Sequence, residues 1–111
     1  MTKENKYNNR LAELKSLYSS LSEEKMSLAL PLIENAVFIE FQLEKLQKII
    51  EKDGFTDDYQ NGNNQFGKKQ SADVQSYNAL VKSYNMINTR LEGMLPKAQK
   101  PKSKLGELMD D

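Results

Sequence analysis

Apolar side chains recur every three or four residues over three stretches of this chain, a period that predicts three amphipathic helices. In the first stretch Tyr7, Leu11, Leu14, Leu17, Tyr18 and Leu21 share a face, which predicts a short helix over about residues 7–19. Ser19, Ser20 and Ser22 then interrupt the pattern. Ser20 and Glu23 stand at capping-box spacing, and Glu23 and Glu24 favour the positive end of a helix dipole, so a second helix is expected from Glu23 to about Asp53.

That second stretch is apolar at every step of one heptad register: Ala29, Leu32, Ala36, Ile39, Leu43, Leu46 and Ile50, the mark of a packing seam. Its first half adds a second stripe of Met26, Leu30, Ile33, Val37 and Phe41. More than half the circumference is then apolar, which one partner helix does not cover. The first helix is the expected cover near the start, and the five residues of the stripe are the expected oligomer interface. Pro31 lacks an amide donor and crowds the carbonyl of Ser27, so a kink or a break is expected near Leu30.

The third helix is expected over residues 72–95, with Ser71 as N-cap, Asp73 in its first turn and Pro96 as its stop. Tyr77, Leu80, Tyr84, Ile87, Leu91 and Met94 complete its apolar face. Two seams of similar length predict an antiparallel hairpin in which Leu43 and Leu46 face Leu80 and Tyr84. The predicted fold is therefore all-α: a long kinked antiparallel helical hairpin with a short N-terminal helix, residues 1–95, followed by a flexible tail over 96–111. The stretch "TDDYQNGNNQFGKKQSAD", residues 56–73, turns the chain round. Asn61-Gly62, flanked by Tyr59 and Phe66, is a type I′ hairpin signal, and a flexible polar loop is the other reading. Its glycines match no phosphate-loop spacing.

Composition narrows the chemistry. The chain has 111 residues, a size that makes one domain and buries roughly 65% of the unfolded chain's surface on folding. It contains neither cysteine nor histidine, which removes thiolate nucleophiles, disulfides, the usual zinc sites and the commonest general base. Adjacent acids such as Asp57/Asp58 and Asp110/Asp111 are ordinarily solvated, since a hard cation needs several converging oxygens. Glu34, Glu40 and Glu44 lack the Glu-x-x-His pattern of a carboxylate-bridged metal bundle. No metal, cofactor or catalytic residue is assigned, and the chain is expected not to be an enzyme. No apolar run of membrane length is apparent and the charged N-terminus lacks a secretory core, so a cytosolic setting without a membrane is expected.

Lys+Arg and Asp+Glu balance at 16 each, so a globally basic binder is not indicated, but positive charge gathers locally. The tail "KAQKPKSK" holds Lys97, Lys100, Lys102 and Lys104; Lys3, Lys6 and Arg10 lie near the start; Lys68 and Lys69 lie in the central stretch. These are the candidate contacts to nucleic-acid phosphates. Tyr77 and Tyr84, seven residues apart, read as seam residues with their hydroxyls aimed at rim partners rather than as base-stacking platforms. Asn78, Asn85 and Asn88 form a polar stripe beside the seam.

Several stretches together resemble small phage and prophage proteins of the terminase small subunit kind: "LSEEK" at 21–25, "LIENAVF" at 32–38, "QLEKL" at 42–46, "YQNGNNQFGKKQS" at 59–71, "YNALVKSYN" at 77–85, and Leu95-Pro96. The loop "NGNNQ.G" between two long helices is the distinctive part. The resemblance implies a non-enzymatic homo-oligomer, ring-forming in that family, that works in the cytoplasm of a bacterial host. It implies binding to viral double-stranded DNA and hand-over of that DNA to the large terminase subunit. That family commonly places DNA recognition in an N-terminal helix-turn-helix domain and the large-subunit contact at the C-terminus, whereas residues 1–22 here hold one short helix. The rival reading is a phage structural or adaptor protein that binds other proteins and no DNA.

Overall fold

The computed structural model describes residues 2–60 and 66–96. In chain order these form α1 (Lys3–Leu17), α2 (Glu23–Asp53), β1 (Thr56–Gln60), β2 (Phe66–Gln70) and α3 (Ala72–Met94). The frame is all-α, as the periodicity predicts, with a two-stranded ribbon inserted between the long helices.

Side-chain caps set the helix ends. Thr2 Oγ1 accepts the Asn5 amide at 3.2 Å, so α1 starts ahead of its first apolar residue. Ser22, not the expected Ser20, caps α2 by accepting the Lys25 amide at 3.2 Å. Both serines offer the same hydroxyl, but the extended backbone needed at an N-cap falls at Ser22. α2 passes through Pro31 as one 31-residue helix, so the chain does not break there. Loss of one amide donor is offset by burial of Ala29, Ile33, Ala36 and Val37 on either side of it. α2 is also long and apolar enough to cross a membrane by length and composition alone.

Gly54 ends α2 with φ 86° and donates its amide to the Ile50 carbonyl at 2.8 Å. A Cβ there meets nothing within 4 Å, so Gly54→Ala isolates backbone strain and is expected to cost about 1–3 kcal/mol. Gly93 sits in the last turn of α3 with equally open surroundings and no positive φ. Gly93→Ala is therefore expected to raise stability by up to about 1 kcal/mol. Thermal unfolding of the two variants checks the opposite signs, and equal shifts would refute the positive φ at Gly54.

The ribbon is antiparallel, with Thr56 opposite Gln70, Asp57 opposite Lys69, Asp58 opposite Lys68, and Gln60 opposite Phe66. This register leaves residues 61–65 between the strands, whereas a two-residue turn at Asn61-Gly62 pairs Gln60 with Asn63. The hairpin therefore forms with a longer connection than that dipeptide implies. The Ser71 amide donates to the Phe55 carbonyl at 2.9 Å and ties both strand ends to the helices. Asn61 and Gly62 themselves lie outside the described residues. Ser71, 3% exposed, caps α3 by accepting the Val74 amide at 3.1 Å.

α1 and α3 both run antiparallel to α2, as Arg10–Glu40 and Tyr84–Glu40 contacts together with Gln47–Tyr77 indicate. The core gathers where all three helices overlap. Leu14 and Tyr18 come from α1 and its cap, Ala29, Ile33, Ala36 and Val37 from α2, and Leu91 and Leu95 from the end of α3. Only the first turn of α1 reaches Phe41, Lys45 and Lys48, and past it α2 and α3 continue alone toward the ribbon. Leu43, Leu46 and Leu80 are half-buried along the α2/α3 seam.

Candidate functional site

The expected DNA contacts fare very differently in three dimensions. Arg10 is committed to the fold: its Nε and Nη2 donate to both carboxylate oxygens of Glu40 at 2.7 and 2.9 Å, and its Nη1 donates to Glu13 at 3.0 Å. The Tyr84 hydroxyl donates to the same Glu40 carboxylate at 2.5 Å. One carboxylate on α2 thus ties α1 and α3 together. Burial pushes the Glu40 carboxyl up, but the hydrogen bonds from Arg10 and Tyr84 and the Arg10 charge outweigh it and leave it below its ordinary value. The Arg10 guanidinium is held higher still, first by its hydrogen bond to Glu40. Tyr84 is raised, by burial first and then by Glu40. A bidentate pair with Glu40 already engages Arg10 within the fold.

Lys68 and Lys69 stand directly across the ribbon from Asp58 and Asp57. Opposite charges in register offset one another, so the ribbon offers no net positive strip at these rows. Asp57 also accepts the Ala72 amide at 3.4 Å. Lys97, Lys100, Lys102 and Lys104 lie outside the described residues.

Lys3 and Lys6 are brought into a cluster. The antiparallel register that pairs Arg10 with Glu40 and stacks Tyr7 on Phe41, ring centroids 5.1 Å apart, carries the first turn of α1 onto α2 beside Lys45 and Lys48. The four lysines, with Glu44 and Phe41, line a concave pocket of about 270 Å³. Each lysine pair has i,i+3 spacing, which puts both members on one helix face. Lys48 is 3.5 Å from Glu44. The side-chain contact with Lys45, and then its charge, hold the Lys3 ammonium below its ordinary value. Lys45 and Lys48 escape sequence reasoning because their spacing is common on solvated helices and only the α1/α2 register gives it meaning.

The expected oligomer stripe is largely internal. Ile33 and Val37 are 0% exposed, Met26 and Phe41 pack half-buried against the core, and Leu30 is half-buried. α1 covers this stripe within the protomer, so Ile33 and Val37 are not available to a partner. The large apolar side chains left in solvent on α2 are Leu28 (64% exposed), Phe38 (52%) and Ile49 (39%). Pro31 and Asn35 are exposed between them, and steps of three, four and eleven residues place all of these on the outward side of the helix.

Tyr77 accepts a hydrogen bond from Gln47 Nε2 at 3.0 Å, so both seam tyrosines have rim partners, as their placement predicts. Asn85 accepts the Thr89 hydroxyl at its backbone carbonyl, 2.8 Å away, and Asn88 bonds Tyr84. Among the described residues no group of three or more acidic side chains converges on a metal-sized site. In comparisons with known proteins, no family model, curated protein or solved structure matches the chain.

Proposed function

We propose that the chain is a non-enzymatic, self-associating component of phage DNA packaging, similar to a terminase small subunit. It works without a cofactor or a membrane in the cytoplasm of the bacterial host, binds double-stranded DNA and engages the large terminase subunit. The observation that carries this reading is the outward face of α2. A three-helix core and a polar tie at Glu40 hold that helix in place, yet it keeps Leu28, Phe38 and Ile49 in water at heptad-compatible spacing. Large apolar side chains left in water along one side of a helix mark an association surface. A second copy is the occupant that matches it: between Leu28 and Ile49 the outward residues are uncharged apart from Glu34 beside Phe38 and Lys45, and two such helices satisfy each other by knobs-into-holes packing.

Phe38→Glu tests the reading. The variant is expected to keep its helical content and lose solution mass. Its affinity for duplex DNA is expected to fall, because several linked sites bind far more tightly than one. Unchanged mass would move the interface off this face. An unmodified chain that assembles but shifts no duplex at low salt would overturn the DNA half and leave the structural or adaptor reading.

A further inference from the structure

The structure assigns a phosphate-binding site to the pocket between Lys3 and Lys6 of α1 and Lys45 and Lys48 of α2, and we propose that its ligand is the sugar-phosphate backbone of duplex DNA. The assignment rests on the DNA half of the reading above and gives it a place on the molecule.

Four ammonium groups and one carboxylate line the pocket, and the carboxylate, Glu44, is shared with Lys48. The Glu44 charge also reaches Lys3, and no further acid is among the lining residues to serve Lys6 and Lys45. Lys45 stands near enough to Lys3 to disfavour the Lys3 charge, a tension that an anion between them relieves. Phe41 forms an apolar wall, backed by Tyr7, along which lysine stems lie while their heads stay in water. At about 270 Å³ the cleft is wider than a lone phosphate needs, which suits an extended backbone with its water better than a small ion. Lysine ammoniums are donors without acceptors, and Glu44 is the one acceptor side chain in the lining. Such a set grips phosphate oxygens and does not read base edges, so binding here is independent of sequence.

The cluster also joins two helices. A strand of phosphates that contacts Lys3 and Lys6 on one side and Lys45 and Lys48 on the other couples the start of α1 to the middle of α2. None of the four is buried, so each is replaceable without opening the core.

The test uses the full chain and a double variant, Lys3→Gln with Lys6→Gln, titrated with a duplex of arbitrary sequence over several salt concentrations. Thermal unfolding and solution mass are followed in parallel, and Lys25→Gln with Lys82→Gln serves as an exposed control pair away from the pocket. Loss of two phosphate contacts is expected to make the log-log salt slope shallower by roughly 1.8, at about 0.9 per contact, with mass and unfolding unchanged. The control pair is expected to keep the original slope. Wild-type affinity and slope in the double variant, while the unmodified chain binds DNA, would overturn the pocket and leave the proposed function standing. An unmodified chain that binds no duplex would overturn both. Binding to phosphatidylserine vesicles that the double variant loses, with its DNA binding intact, would assign the pocket to a lipid surface instead.

Discussion

Ile33→Ala is expected to lower the unfolding free energy by about 3–5 kcal/mol, the upper part of the range for large-to-small changes in a core. Ile33 is 0% exposed and sits among side chains from all three helices, so a cavity there has walls held from three directions. Walls so held relax little, and the cavity term adds to the lost transfer energy. Small domains are stable by only about 5–15 kcal/mol, so the variant approaches the limit of folding. Leu43→Ala, on the half-buried seam toward the ribbon, is expected to cost about 1–2 kcal/mol because much of that side chain already meets water. Denaturant unfolding followed by circular dichroism gives both values. A larger loss at Leu43 than at Ile33 would relocate the core toward the ribbon.

The second large effect is expected at Glu40. Glu40→Ala removes the acceptor for both Arg10 and Tyr84 and leaves a partly covered cation and a hydroxyl without it. Breaking a fully buried pair costs about 3–5 kcal/mol; the Arg10 side chain is 36% exposed, so water compensates part of that and about 2 kcal/mol is expected. The pH dependence follows from the lowered carboxyl. The unfolded chain takes up this proton near 4.5 and the folded chain only at lower pH, so the contribution is complete above about 4.5 and is lost as pH falls through the folded value. Tyr18 and Tyr84 act at the other limit: burial raises both, so stability is retained below about 10 and declines above it. Unfolding of the unmodified chain and of Glu40→Gln at neutral and acid pH measures the carboxylate's share. An identical acid decline in the two would remove Glu40 from the account.

The features legible in the sequence are the local ones. α2 and α3 lie within a residue or two of where periodicity, Ser71 and Pro96 put them, because heptad spacing and capping are decided by near neighbours. The start of α1 was hidden, since Lys3, Glu4, Asn5 and Lys6 carry no apolar period and Thr2 alone sets it. The ribbon register was hidden for a related reason. Asn61-Gly62 is the strongest local turn signal, yet the strands pair according to how Phe55 and Ser71 join them to the helices. The site depended most on distance along the chain. Glu40 neutralises Arg10 from thirty residues away, and the Lys3 to Lys45 approach follows only from that register. For the same reason the doubled stripe at Ile33 and Val37 pointed to a second copy of the chain when α1 was already its cover.

Self-association through the outward face of α2 is the central claim, and solution mass tests it most directly. Sedimentation velocity of the unmodified chain from about one to one hundred micromolar, a span that brackets micromolar association constants, is expected to show species at multiples of the 12.7 kDa protomer, growing with concentration. A single 12.7 kDa species across that whole range would contradict it.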